Sequence, residues 1–332
     1  MKKITALSAF FLLLSLFLLA CTASSEEPSV PSAAQAQPNV NATDASIAET
    51  NPANTSDGAY YRMTYTKSPV DIDEVMHALL TDPAQTAAFE AAETNASALP
   101  DGRTIYEGTM TVDGIVYGWA ECAGAFEFHR EYSSKPVQAE DAERLAQDFL
   151  GRLGWAYDNN LQIRSVEDGT VDIRCRLYYH GVKLMGPHTF YFEPGNEDEH
   201  GLTGSYIQLS FSGDGINSVL IESPPQEGDI LQTYDPQKDF LSLDDAAVMA
   251  EQYIETAETQ TPQPDRTLYL ERMSIERIYI PYRDVSGKNN DILTPAFEVR
   301  IPFKYEDMPE GTMVLYLDAL TGYVYDTSHE FF

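Results

Sequence analysis

The chain has 332 residues and a formal net charge of −31, from 52 acidic against 21 basic residues. That balance disfavours nucleic acid as a partner, because such binding rests on neutralising phosphates with Lys and Arg. It also disfavours direct docking on an anionic membrane surface, which attracts basic segments. The acid is spread along the chain and reads first as a solvated surface, with attraction of a cationic partner as the lesser reading.

The first residues run MKKITALSAFFLLLSLFLLACTASSEEPSV. Lys2 and Lys3 give a positive start. The apolar run Ile4 to Ala20 is shorter than the roughly 20 residues of a spanning helix and ends on a small residue, as an export signal does. Leu18-Leu19-Ala20-Cys21 resembles a bacterial lipobox. The resemblance implies a signal peptide over 1–20, cleavage before Cys21, and acylation of the Cys21 thiol. The chain is then expected outside the cytoplasm, lipid-anchored to the bacterial cell membrane. Two or more acyl chains, at roughly 0.8 kcal/mol per buried CH₂, anchor stably where one does not. Residues 21–58 are Ser, Ala, Pro, Asn, Thr and Glu with almost no large apolar side chain. They cannot bury enough surface to offset ordering entropy and are expected as a disordered tether, with a reach of about 30–35 Å.

Residues 59–136 read as an N-terminal α+β region: a strand in YYRMTYTK, short helices in DIDEVMHALL and AQTAAFEAAE, then paired strands around an Asp113-Gly114 turn, a strong hairpin signal. Cys122 falls by alternation on a face with Val116, Gly118, Ala120, Phe126 and Phe128, and Cys175 on one with Val171, Ile173 and Leu177. Free cysteine on an apolar strand face behaves as a small hydrophobe. An export signal also permits a disulfide, and spacing does not decide whether the two meet.

Two helical stripes recur 104 residues apart. Ala142, Leu145, Ala146, Phe149, Leu150 and Leu153 form the first, and Ala246, Met249, Ala250, Tyr253, Ile254 and Ala257 the second. The spacing i, i+3, i+4, i+7 buries one face of a helix, and Ser242 is placed to cap the second. Alternating strands follow each helix. GSYIQLSFSGDGINSV then maps on GTMVLYLDALTGYVYD at an offset of 107, pairing Ile207 with Val314, Leu209 with Tyr316 and Gly215 with Gly322. The expected fold is therefore α+β, as tandem units of a helix packed on an antiparallel β-sheet. The repeats span 137–222 and 242–332, joined by a Pro-rich linker, 223–241.

Asp318, Ala319, Thr321, Gly322 and Val324 form a D-A-x-T-G turn that resembles the closing hairpin of a PepSY-type domain. The layout is similar to uncharacterised lipoproteins of clostridia and to extracytoplasmic regulators of cell-wall two-component systems. The resemblance implies non-catalytic work, binding or inhibiting an envelope protein.

No H-E-x-x-H, G-x-S-x-G or P-loop pattern occurs. The acidic stretch with Glu193, Glu197, Asp198 and Glu199 lacks the spacing of a calcium loop and reads as a solvated loop. No catalytic, cofactor or metal residue is assigned. Tyr316, Tyr323 and Tyr325, clustered at the last turn, are the candidate binding surface, although aromatic pairs also simply stabilise sheets. The expected function is a non-enzymatic, membrane-anchored protein-interaction or regulatory module, with a small-ligand or glycan-binding lipoprotein as the alternative.

Overall fold

A computed structural model describes residues 59–100, 102–166, 168–186, 204–283, 291–306 and 308–331. The expected acidic loop with Glu193, Glu197, Asp198 and Glu199, the expected signal peptide and tether over 1–58, and Cys21 with them, lie outside the described residues.

The N-terminal part carries β1 (Tyr60–Lys67), α1 (Ile72–Leu79), α2 (Pro83–Glu90) and the strands β2 (Thr94–Ala98), β3 (Thr104–Val112), β4 (Ile115–Cys122) and β5 (Ala125–Arg130). Asp71 and Asp82 cap the two short helices, their carboxylates accepting from Glu74 N at 3.1 Å and Ala84 N at 2.7 Å. These bonds satisfy amides that the first turn leaves orphaned. Asp113-Gly114 closes the β3–β4 hairpin, with Val112 paired to Ile115.

Then come α3 (Ala139–Leu153), β6 (Gln162–Ser165), β7 (Val171–Arg176), the small hairpin β8 (Tyr178–Tyr179) and β9 (Val182–Leu184), β10 (Tyr206–Ser212), β11 (Gly215–Glu222) and β12 (Pro225–Tyr234). The last part holds α4 (Leu243–Gln260), β13 (Arg266–Leu268), β14 (Ser274–Arg283), β15 (Asp291–Tyr305), β16 (Gly311–Asp318) and β17 (Val324–Phe331). The class is α+β, with almost every strand pair antiparallel. Ser242 caps α4 as its sequence predicts, accepting from Asp245 N at 3.0 Å. Helix α3 buries Ala142, Ala146, Phe149, Leu150 and Leu153 of its expected stripe, whereas α4 buries Ala246, Ala250 and Ile254 and leaves Met249 and Ala257 half-buried and Tyr253 exposed.

The strands form two sheets. One has eight strands in the order β2-β3-β4-β5-β11-β10-β7-β6. The other has nine, with β15 at its centre: β14 and β13 lie along one edge of β15, and β1 then β16 along the other. Pairing thus crosses the boundaries that the sequence suggests. β5 bonds to β11, so the N-terminal region and the first repeat share one sheet. The stretch expected as linker supplies β12, paired to β1. The β8–β9 hairpin leaves its own unit and lays β9 parallel to β14.

At the level of topology the two copies agree. A helix precedes a four-strand meander in each, β6-β7-β10-β11 and β14-β15-β16-β17. At the level of residues the offset of 107 is wrong by one. Ile207, Leu209 and Phe211 belong to the core cluster that contains Ala142, Ala146 and Phe149 of α3. On β16 the residues clustered with α4 are Met313, Leu315 and Leu317, while Val314 and Tyr316 face the other side of the sheet. A slip of one residue exchanges the faces of a strand, so an offset of 106 matches core to core. The closing turns absorb the difference. β10 and β11 join through two residues, with Ser212 paired to Gly215, whereas Leu317 pairs with Val324 across six.

Candidate functional site

The last turn is a structural device. Asp318 Oδ1 accepts from Leu320 N at 2.9 Å, Thr321 N at 2.8 Å and Thr321 Oγ1 at 2.9 Å, and its Oδ2 accepts from the Tyr325 hydroxyl. Burial and that carboxylate push the Tyr325 hydroxyl well above its ordinary pKa. Tyr316 corrects the sequence reading: it is 1% exposed and packs with Ile278, Ile280 and Val314, so it presents nothing to a partner. Its strand is central and covered on both faces, which alternation alone does not reveal. Tyr323 is 67% exposed, with its ring edge-on to Tyr325 at 5.8 Å. The three tyrosines therefore do not form one surface.

A charged seam lies where the two sheets meet. On the side of β15 away from α4, Glu298 stands directly across from Glu276 on β14 and Tyr316 on β16. Arg176, from the end of β7, donates from Nη1 to Glu298 Oε2 at 2.5 Å, and Arg300 Nη1 approaches Glu298 Oε1 at 3.1 Å. Lys183 on β9 bridges Asp158 at 2.8 Å and Glu276 at 2.7 Å. Burial pushes the Glu298 carboxyl up, but the two guanidiniums outweigh it and hold the pKa at about 2. Burial pushes Lys183 down, and its two carboxylates overcome that and raise it. These displaced proton affinities belong to ion pairs that join the halves. Such pairs are a known structural source of perturbed titration.

Cys122 and Cys175 are not bridged to each other, and sheet geometry says why. Cys122 pairs with Ala125 across the two-residue turn Ala123-Gly124, so it shares a face with Ala125, Glu127 and His129, not with Phe126 and Phe128. Cys175 pairs with Ile207, on the core face. The two thiols thus lie on opposite faces, four strand steps apart, about 19 Å at ~4.8 Å per step. A disulfide needs Cα atoms within about 7 Å.

The same register defines the sheet face opposite the helices. One row across it reads Glu107, Ala120, Glu127, Leu220, Gln208, Arg174. The next reads Thr109, Gly118, His129, Ser218, Ser210, Asp172. The core clusters hold none of these side chains. The next row on the same face, Glu222, Tyr206 and Arg176, meets the other sheet through Lys67–Glu222 and Arg176–Glu298, so the face is open beyond that row. Most are half-buried. Burial raises the pKa of Glu127 and lowers that of His129, so a reluctant carboxylate and a neutral imidazole stand two residues apart on β5, about 7 Å between Cα atoms. Burial likewise takes the neighbouring Tyr206 hydroxyl up to about 12. Arg174 Nε donates to Gln208 Oε1 at 3.0 Å, ordering the far end of the row. This is a broad, polar, partly desolvated face on a rigid sheet. The signal for it is present in AFEFHR and YIQLSFS, where polar residues alternate with Phe126, Phe128, Ile207 and Leu209. Carrying the face of Cys122 straight through the Ala123-Gly124 turn hides it.

A groove of about 270 Å³ lies between the C-terminal half of α4 and the end of the nine-stranded sheet. Among the described residues no three His, Cys, Asp or Glu side chains gather to hold a metal ion. No described helix is long and apolar enough to cross a membrane.

No family model and no curated protein matches this chain. Among solved structures it is similar to an uncharacterized protein from Eubacterium rectale, at 12% identity and a TM-score of 0.53, over 81% of this chain and 86% of that one. At that identity the likeness shows the fold alone.

Proposed function

We propose that the chain is a membrane-anchored extracytoplasmic lipoprotein whose folded part binds another protein of the cell envelope and carries out no chemistry of its own. The observation that carries this reading is the open face of the eight-stranded sheet. It offers hydrogen-bonding groups in rows, already partly desolvated, on a scaffold that needs no reordering to bind. Its extent suits a macromolecule better than a small molecule. The non-catalytic side of the reading is supported by how four of the displaced groups are used. Glu298 and Lys183 are spent in the seam, Tyr325 on the closing turn, and the Tyr279 hydroxyl accepts from Tyr61 N at 2.9 Å. The location rests on the lipobox-like Leu18-Leu19-Ala20-Cys21 and the polar stretch that follows it.

Metabolic labelling with palmitate and membrane fractionation test the anchor. The wild-type chain is expected in the membrane fraction with label, and Cys21→Ala without label and released. Label that survives Cys21→Ala contradicts the anchor. Affinity capture after crosslinking in native membranes tests the partner. A single envelope protein recovered in stoichiometric yield supports the reading, and recovery of none while the lipoprotein is abundant contradicts it.

A further inference from the structure

On the open face, β4 presents Gly118 and Ala120 between Thr109 and Glu107 of β3 and His129 and Glu127 of β5. The His129 ring leans across onto β4, since a Cβ added at Gly118 would stand 2.7 Å from its Cε1 and 2.8 Å from its Nε2. One row on, the half-buried Ala120 floors a notch. Glu107 and Glu127 stand on either side of it, with Cα atoms about 10 Å apart at ~4.8 Å per strand step. The His129 ring closes one end, and the row of Ile105, Cys122 and Ala125 closes the other.

The charges on this face are unevenly paired. Arg174 holds Gln208, Asp172 stands across from Arg164, Glu222 is bridged to Lys67, and Arg176 to Glu298. Glu107 and Glu127 have neither a hydrogen bond nor an ion pair among the described residues. Burial alone displaces Glu127, and no described cation offsets the cost of its desolvation. Burial also keeps the His129 ring neutral at pH 7, so it supplies no countercharge. We propose, resting on the protein-binding reading, that the envelope partner docks here through a basic segment and sets one lysine or arginine side chain in the notch. Its stem lies on Ala120 and the His129 ring, and its head stands between the two carboxylates. A cation there offsets the desolvation that Glu127 bears, and the field of a chain of net charge −31 draws such a segment in. A metal ion does not fit, because among the described residues no third His, Cys, Asp or Glu gathers beside the two glutamates.

The test is the yield of photo-adduct from a crosslinking amino acid at Leu220 of the full chain in native membranes. It is read in wild type, Glu107→Gln, Glu127→Gln and Glu251→Gln, the last being the same charge change at an exposed site on α4. The yield is expected to fall about fivefold in each face variant, as for loss of a partly desolvated charge pair, and to hold in Glu251→Gln. The thermal unfolding midpoint of Glu127→Gln at pH 7 is expected to equal or exceed that of wild type, because the carboxylate is desolvated without compensation. An adduct undiminished in both face variants overturns the basic segment and leaves the protein-binding reading standing. A loss as large in Glu251→Gln overturns the notch in favour of long-range charge alone. A lowered midpoint in Glu127→Gln overturns it too, since the carboxylate would then serve the fold. No adduct from the wild-type face overturns the protein-binding reading and the basic segment together.

Discussion

Arg176 and Glu298 meet at 2.5 Å although 122 residues separate them, and they tie β7 of one sheet to β15 of the other. Glu298 is 1% exposed and Arg176 7%. Removing Arg176 leaves the buried Glu298 carboxylate to Arg300 alone; stranding a buried charge entirely costs about 3–5 kcal/mol, so the cost here is up to that, whereas replacing both partners with apolar groups of similar volume is often neutral. Arg176→Met alone is therefore expected to destabilise strongly, and Arg176→Met with Glu298→Leu to recover most of the loss. Denaturant titrations of the three chains check this. Equal stability of Arg176→Met and wild type would show the pair to be dispensable.

The same pair sets a pH dependence. Glu298 has an ordinary value of 4.5 and is held at about 2 in the folded chain. A depressed carboxylate contributes its stability in full above its unfolded pKa and loses it as the pH falls through the folded one. Its contribution is thus complete above about pH 4.5 and declines from there towards pH 2. Unfolding free energies measured from pH 6 down to pH 2.5 should show this limb in wild type and a shallower one in Glu298→Gln.

Cys122 and Cys175, on opposite faces of one sheet, are predicted to remain thiols even after export to an oxidising compartment. Burial raises the Cys175 thiol to about 12, and since the thiolate is the nucleophile it should resist iodoacetamide at pH 8 in the native state. After unfolding without reductant, both residues should alkylate. A mass two hydrogens short and no alkylation would mean a disulfide, and with it a different strand arrangement.

The closing hairpin depends on Gly322, at φ 70°, where an added Cβ would stand 2.9 Å from Met249 Cε and Cγ. A side chain there meets both the left-handed backbone and the helix that the turn packs on. Gly322→Ala is expected to cost about 1–2 kcal/mol. Asp318→Ala, which orphans the Leu320 and Thr321 amides, should cost about 1–3 kcal/mol. Thermal unfolding of both variants checks this, and a midpoint unchanged in Asp318→Ala would remove the turn from the account.

What could be read in advance was local. The stripe of α3, the buried half of that on α4, the cap Ser242 and the Asp113-Gly114 turn depend on residues a few positions apart, and the fold class follows from them. The positive φ of both Gly215 and Gly322 was likewise legible from turn chemistry. What could not be read was pairing between distant strands. Nothing in β5 names β11 as its neighbour, some 90 residues on, so the continuous eight-stranded sheet and its open face stayed hidden. The parity of Cys122 and the burial of Tyr316 failed for related reasons. A two-residue turn reverses which residues share a face, and a central strand is apolar on both sides.

The most direct test of the protein-binding account places a photo-crosslinking amino acid at Leu220, at the middle of the open face beside Glu127, and for comparison at Val248, exposed on α4. After irradiation of native membranes, the account predicts an adduct with one envelope protein from Leu220 and none from Val248, with the adduct weakened when Glu127 is replaced by Lys. Adducts equal from both positions, or none from Leu220 in membranes where the chain is folded and abundant, would contradict it.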